Sequence, residues 1–353
     1  MVKSVKRLIF IALLTLIVSG MKLKAQDVSF SQVYSSPIYL SPSFSGFTSG
    51  GRVIFNYRDQ WPSIPHTYRT YAFSFDQYVD MLNSGFGLLF LQDDQGSGQI
   101  VTQNAGVNYA YELPITSDIF VRPGLQFKYL GFKTDPALMS EINPEGIRRP
   151  WAHTESFFQI EQHHKLDFTA SLMVYSNFFW FGGTVDHLVK NNIAFTDFET
   201  YIPIKLTVFG GGKYRYIEAT RGRSEQSATF AFMFRRQQEF QQLDLGIYWN
   251  VSPLEVGLWY RGIPGISTGG LSNQDAIIFS LGVSLSNIHI AYSYDLTLSK
   301  LAGYSGGSNE FSVIYRFSRP GMITQNRGAV PCGEAFFGLG EPAKYRSKRR
   351  SFF

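Results

Sequence analysis

Large apolar residues alternate with small or polar residues in repeated segments along this chain. Between residues 287 and 297, Ile288, Ile290 and Tyr292 begin a run of apolar residues at every second position, and polar residues such as His289 stand between them. A period of two is the period of a β-strand, whose successive side chains point to opposite faces. The pattern recurs from residue 50 to residue 318. It therefore predicts a protein of β-strands that each have one apolar and one polar face.

The alternation predicts about 14 strands, an even number, as single-chain bacterial outer-membrane barrels have. We place them at 50–58, 68–77, 84–92, 100–112, 118–132, 165–176, 178–189, 203–218, 227–238, 241–250, 254–262, 275–285, 287–298 and 308–318.

The connections between these strands sort by length. If both ends of the barrel face the periplasm, inner turns such as Ser252-Pro253 and Ser286 are short, whereas outer loops such as 133–164 and 299–307 are mostly long. This asymmetry is typical of outer-membrane barrels. The predicted fold class is therefore all-β, a transmembrane outer-membrane β-barrel.

The amino terminus has the features of an export signal. A positively charged start is followed by the apolar run Leu8–Val18, which is too short to span a bilayer as a helix. We expect cleavage after Ala25, although Leu23 three positions upstream is an imperfect match. The predicted organisation is a signal peptide at 1–25, an N-terminal periplasmic segment at 26–49, the transmembrane barrel at 50–318 and a periplasmic basic tail at 319–353.

Composition and charge agree with this interpretation. Aromatic residues make up 16% of the chain and charged residues only 17%, as expected for strands that face lipid between aromatic girdles. The formal net charge of +5 is matched by the five basic residues of the leader. The charge therefore gives no reason to expect nucleic acid as a partner.

No pattern in the chain predicts catalysis, a metal site or a cofactor. Cys332 is the single cysteine, which excludes an internal disulfide and a cysteine-based zinc site. The histidines of the loop 133–164 lack the spacing of metal ligands. Ser293 and His289 share a polar face, but any lumen-facing strand places such residues together. We predict that the protein is not an enzyme.

Five stretches carry a resemblance to a known family. They are Phe30-Ser31-Gln32, then Leu40–Gly46 (LSPSFSG), Tyr57–Pro62 (YRDQWP), Tyr71–Asp76 (YAFSFD) and Gly85-Phe86-Gly87. In order and spacing they resemble the opening of the PorP/SprF family of outer-membrane proteins, which belongs to the type IX secretion system. The chain departs from the family pattern with Asp59 where asparagine is usual, with Ser41 for asparagine and with a long basic tail.

The resemblance implies a location in the cell outer membrane and a role in exporting or displaying specific secreted proteins, such as the adhesins of gliding bacteria. It implies contact with outer-membrane lipid, with a secreted client that carries a C-terminal sorting domain, and with periplasmic components of the secretion system. It implies no catalysis. The sequence leaves open an alternative of another class, a passive outer-membrane porin or nutrient channel.

Two segments are candidate partner-binding sites. The first outer loop contains a tryptophan, a residue type that is enriched in binding hot spots but also forms the aromatic girdles of barrels. The tail contains a basic cluster that could bind an acidic partner or could be a solvated end. The candidate residues are Arg58, Asp59, Gln60, Trp61 and Pro62 in the loop, and Lys344, Arg346, Lys348, Arg349 and Arg350 in the tail.

Charged residues recur on the polar faces of the predicted strands. A charge on the lipid face would cost about 2–4 kcal/mol at mid-bilayer, so we expect them to face the lumen. They could line a selective pore or form ion pairs that fill a closed interior. In the first hairpin, Arg52 is predicted opposite Ser74 and diagonal to Asp76, close enough to interact. The full set is Arg52, Arg58, Asp76, Lys128, Lys205, Arg235, Arg261, Asp295 and Arg316.

Overall fold

The computed structural model describes most of the chain. The described residues are 27–48, 50–64, 68–96, 100–134, 161–193, 200–217, 226–268, 271–298 and 303–317. The leader, most of the loop 133–164 and the basic tail lie outside them.

Alternating sequence produces β-strands along almost the whole described barrel region. The strands are β1 (Gly51–Gln60), β2 (Tyr68–Val79), β3 (Ser84–Gln95), β4 (Ile100–Tyr111), β5 (Leu113–Pro114), β6 (Phe120–Thr134), β7 (Glu161–Tyr175), β8 (Phe179–Asp186), β9 (Lys205–Ile217), β10 (Gln226–Gln237), β11 (Phe240–Val251), β12 (Leu254–Thr268), β13 (Leu271–Leu285), β14 (Ile288–Thr297) and β15 (Ser308–Phe317). A one-turn 3₁₀ helix, Asp80–Leu82, joins β2 to β3.

The strands close into a single antiparallel barrel. Each long strand pairs with its neighbours in sequence, β4 pairs with β6 across the two-residue β5, and β1 pairs with β15. The closing pair runs in register from Gly51 opposite Phe317 to Gln60 opposite Ser308. The prediction of a 14-strand outer-membrane barrel is confirmed. Strand ends differ by a few residues, and β12 extends past its predicted end at residue 262.

The two faces of the strands lie as the alternation predicts. On β14, Ile290 is 39% exposed and points outward, whereas Asp295 is 2% exposed and points into the barrel. Among the described residues, no helix is long and apolar enough to cross a membrane. Other outward apolar residues at alternating strand positions are Ile288, Tyr292, Leu296, Phe311 and Ile247.

The N-terminal segment lies in a different place from the one expected. The sequence analysis assigned 26–49 to the periplasm, but residues 27–48 lie inside the barrel, and most of them are buried. They contain the helical turns Val33–Ser35, Pro37–Leu40 and Pro42–Phe44. A barrel of this strand number encloses more space than its own side chains fill, so another segment can occupy the lumen. We call residues 27–48 the plug segment.

Aromatic contacts join the plug segment to β8 and β9 of the wall. The ring of Tyr34 meets Trp180 edge-on, with centroids 5.6 Å apart. The ring of Phe44 packs on Phe209 at 5.4 Å. Such pairs add to the stabilisation that comes from burying apolar area. The plug segment therefore contributes to the protein's hydrophobic core.

Candidate functional site

The outer half of the plug segment is held by buried charges of the wall. Arg58 donates from Nη1 to the Ser31 hydroxyl (2.6 Å) and from Nη2 to Asp295 (2.9 Å). Glu310 accepts hydrogen bonds from the backbone N–H groups of Ser31 (2.7 Å) and Gln32 (3.0 Å). Arg261 also contacts Asp295, at 3.3 Å. Buried charges are tolerated only when they are paired and hydrogen-bonded, and this network meets that condition.

The side chain of Gln32 completes this network. Its amide nitrogen donates to the Ser293 hydroxyl (3.2 Å) and to the Glu310 carbonyl (2.9 Å). Its amide oxygen accepts a hydrogen bond of 2.6 Å from Ser312. Both ends of the amide are therefore satisfied in a buried position, as stable interiors require. These contacts fix the plug segment against β14 and β15.

Asp27 and His187 form a second group of contacts at the outer mouth of the barrel. The carboxylate of Asp27 accepts from Lys205 (2.7 Å) and contacts His187 Nε2 (2.9 Å), while Asp167 contacts His187 Nδ1 (2.7 Å). Burial alone would lower the pKa of His187, but the Asp27 carboxylate and the hydrogen bond to Asp167 hold it above its usual value. Burial would raise the pKa of Asp27, but Lys205 and His187 hold it well below its usual value.

The inner end of the plug segment is clamped by close backbone approach. Arg122 donates from Nε to the Ser43 carbonyl (3.1 Å) and from Nη2 to the Ser45 carbonyl. The Gly46 N–H donates to Asp76 (2.8 Å), and Gly46 has a φ of +61°, which favours glycine. A Cβ at Gly85 would lie 1.8 Å from the Ser45 carbonyl oxygen. The wall therefore needs a glycine where the plug segment passes.

The predicted contact between Arg52 and Asp76 is confirmed, with a different register. Arg52 donates from Nε and Nη2 to the two carboxylate oxygens, at 2.8 and 3.0 Å. The two residues stand directly opposite each other, whereas the sequence analysis placed Arg52 opposite Ser74. The hairpin is centred at Ile64 rather than Ser63, because Gln60 pairs with Tyr68. A one-residue change of turn centre moves the facing residue by two positions and keeps its side chain on the same face.

The candidate residues of the first outer loop do not share one surface. Arg58 is only 3% exposed and belongs to the lumen network, so its assignment to an outer partner surface is corrected. Gln60 accepts a hydrogen bond from Arg58 at 3.5 Å. Trp61 is half-buried and packs edge-on against Tyr68, with centroids 5.7 Å apart.

Asp59 and Pro62 lie nearer the surface of the same loop. Asp59 has a weak ion pair with the exposed Arg69, at 4.0 Å, and Pro62 is exposed. The five basic candidates of the tail, from Lys344 to Arg350, lie outside the described residues.

Several of the predicted lumen charges form ion pairs with other residues of the wall. Lys128 pairs with Asp186 at 3.2 Å, and Arg235 pairs with Asp244 at 3.0 Å. Of the two interpretations left open by the sequence, the described residues support an interior filled by ion pairs and by the plug segment. Among these residues, no group of three or more histidine, cysteine or acidic side chains could hold a metal ion.

The sequence matches a known protein family over most of its length. A family model described as "Type IX secretion system membrane protein PorP/SprF" matches residues 22–315. The chain belongs to this family. Together with the closed barrel, this membership places the protein in the outer membrane as a membrane component of the type IX secretion system. The family is one of secretion-system membrane barrels and is not a class of enzymes.

Solved barrels are similar to this PorP/SprF protein only at low identity. The outer membrane protein Omp33 of Acinetobacter baumannii has 10% identity and a TM-score of 0.43, over 77% of this chain and 100% of its own. The monoaromatic hydrocarbon channel CymD has 8% identity and a TM-score of 0.45, over 81% and 93%. The toluene transporter TodX of Pseudomonas putida has 9% identity and a TM-score of 0.43, over 79% and 93%. No curated protein matches the chain.

The motifs that carry the family resemblance meet at the plug segment. Phe30-Ser31-Gln32 binds the outer network, to which Arg58 of the YRDQWP motif contributes. The LSPSFSG stretch reaches Asp76, the last residue of YAFSFD, and the GFG step at Gly85. Each motif can be recognised in the sequence, but the contacts between the motifs cannot. The indirect signal in the sequence for these contacts was a run of small polar and apolar residues before the first strand that lacks the alternation of a strand.

Proposed function

We propose that this protein supports the export or surface display of specific secreted proteins, such as adhesins, by the type IX system. The observation that supports this role is the plug segment, which fills the lumen and is tied to the wall near both mouths. Because the interior of the barrel is occupied, we infer that the protein binds its partners at the two ends of the barrel rather than passing them through the lumen. Family membership supports the secretion context.

In this proposal the outer loops bind the C-terminal sorting domain of the client. Trp61 and Pro62 are at least partly exposed and can reach a partner, whereas Arg58 is buried. A partly exposed tryptophan offers the large contact area typical of binding hot spots. The inner turns and the basic tail bind periplasmic components of the secretion system. Electrostatic contacts of such a tail weaken as salt rises.

The test is a pull-down of the affinity-tagged protein in mild detergent, read by mass spectrometry. We expect a large secreted client and secretion components with the unchanged protein. Trp61→Ala should lose the client and retain the periplasmic components, and Trp61→Phe, which keeps an aromatic side chain at this position, is the matched control and should retain both. Deleting 341–353 should have the opposite effect. If the unchanged protein recovers neither class, or neither variant changes recovery, the proposal is wrong.

A further inference from the structure

Asp27, the first described residue, lies at the outer mouth of the barrel. Its carboxylate contacts Lys205, the first residue of β9, and His187, which directly follows β8. Its backbone N–H donates to Gln237, the last residue of β10, at 3.2 Å. All three wall residues border connections on the side of the long loops, which is the outer side of such barrels.

The plug segment runs inward from Asp27. Ser31 contacts Glu310 near the outer start of β15, and the Leu40 carbonyl accepts from Thr184. Gly46 lies against Asp76, close to the inner turn that joins β2 to β3. The chain then returns outward as β1, which begins at Gly51. The plug segment and β1 therefore cross the barrel in opposite directions.

The amino-terminal end of the described chain therefore lies at the outer mouth of the barrel. We propose that the amino terminus of the mature protein opens at the cell surface, and that the leader must be removed before the plug segment docks. The expected cleavage after Ala25 leaves Gln26 as the first residue.

The requirement for cleavage follows from how the lumen is filled. An uncleaved chain would have to carry the basic start and the apolar run Leu8–Val18 through the barrel as well. The plug segment supplies hydrogen bonds to buried charges of the wall, and an apolar run in its place would take from the Glu310 carboxylate the N–H groups of Ser31 and Gln32. A buried charge that loses its hydrogen bonds is strongly unfavourable. A leader still held in the inner membrane would also keep Asp27 on the periplasmic side.

A cross-link gives a direct reading of docking. The hydroxyl oxygens of Ser43 in the plug segment and Ser171 in β7 are 2.6 Å apart. In a Cys332→Ser background, Ser43→Cys with Ser171→Cys should form an intramolecular disulfide that changes gel mobility. If no disulfide forms in the cleaved, assembled protein, the plug segment does not dock in this way and the proposal is wrong.

Topology is then read on intact cells that carry this cross-link. An epitope inserted between Gln26 and Asp27 should bind antibody as well as one inserted between Gly303 and Tyr304, next to a side chain that is 77% exposed in an outer loop. An epitope between Met81 and Leu82, in an exposed inner turn, should bind only after the outer membrane is permeabilised. If cross-linked molecules with the first epitope behave like the inner-turn control, the amino terminus is not at the surface.

The role of the leader is tested with a cleavage-blocked chain. Gln26→Pro, which blocks cleavage after Ala25, should abolish the disulfide between positions 43 and 171. A protease site placed between positions 26 and 27 should restore the disulfide when that protease is exported with the protein. Formation of the disulfide with the leader retained, or failure of the protease to restore it, would overturn the requirement for cleavage.

Discussion

At the residue scale, buried charges and glycines determine how the plug segment sits. Asp76 serves both the wall and the plug segment, because its carboxylate accepts from Arg52 and from the Gly46 N–H. Gly85 leaves the space through which the Ser45 carbonyl passes. Both residues belong to motifs that can be recognised in the sequence. Their structural roles, however, depend on contacts with residues that are distant in sequence.

Replacing Asp76 by alanine should destabilise the protein strongly. It leaves the buried Arg52 without a counter-charge, which costs about 3–5 kcal/mol. Asp59→Ala is the matched control, because its pair with Arg69 is long and exposed, and such pairs contribute at most about 1 kcal/mol. Urea unfolding in detergent measures both variants. Equal midpoints for the two variants would mean that the buried pair is not important for stability.

Gly85→Ala should prevent docking of the plug segment while the barrel still assembles. The added methyl group would overlap the Ser45 carbonyl, which belongs to backbone and cannot rotate away. Gly183→Ala is the control, since its Cβ would meet nothing closer than the Thr207 carbonyl at 3.6 Å. The disulfide between positions 43 and 171 reports docking. An unchanged disulfide yield with Gly85→Ala would show that the inner clamp is looser than the structure indicates.

The contacts of Asp27 at the outer mouth should loosen at alkaline pH. The pKa of His187 is raised in the folded protein, so its stabilising contribution is present below its unfolded pKa and is lost as pH rises through the folded value. The charged groups that face it include Asp27, Asp167, Lys128 and Asp186.

Hydrogen exchange of residues 27–31 measures this change. After correction for intrinsic exchange, protection should fall in the unchanged protein as the pH rises above about 6.5, the pKa of an unfolded histidine. His187→Gln should show much less pH dependence. The lowered pKa of Asp27 keeps its carboxylate charged throughout this range, so it adds no pH dependence of its own. Flat protection in the unchanged protein would contradict the prediction.

At the element scale, the alternation along each strand determines which face meets lipid. The sequence predicted the strands because a period of two is a local property that no distant contact has to supply. Strand ends were harder to predict, since pairing with neighbours extends strands into loops, as β12 and β13 show.

Ile290→Arg should block assembly of the barrel. Ile290 points outward as the third residue of β14, within the strand, and an arginine facing lipid costs about 2–4 kcal/mol at the midplane but about 0–1 kcal/mol near the interface. Leu298→Arg is the control, because Leu298 points outward just past the outer end of the same strand. Heat-modifiable migration on gels measures assembly. Equal assembly of the two variants would contradict the depth assigned to Ile290.

At the scale of the whole molecule, the plug segment separates this barrel from an open channel. The described chain enters the lumen beside Asp27 and crosses it to Gly46, so the plug segment occupies space that an open channel would leave to water. The porin alternative of the sequence analysis makes the opposite prediction about ion flow.

Deleting residues 29–46 should convert the protein into a conducting barrel. The deletion leaves the expected cleavage site and β1 intact, and water can then solvate the lumen charges. Single-channel recording in planar bilayers should find little conductance for the unchanged protein and stable open channels for the deletion. Deleting 341–353 is the control and should leave conductance unchanged. Large conductance in the unchanged protein would favour the porin.

The sequence by itself determined the strands, their two faces, the even strand number and the family resemblance. These features depend on local periodicity and on motifs that can be read in order along the chain. Only the tertiary structure decided where Asp27–Thr48 lies, because that segment has no periodicity of its own and is held by side chains of the wall far away in sequence. The same contacts decided between the two positions that the sequence analysis gave Arg58, a loop surface and the lumen, in favour of the lumen. Which buried charges find partners depends on barrel closure, and closure brings together residues that the sequence keeps apart.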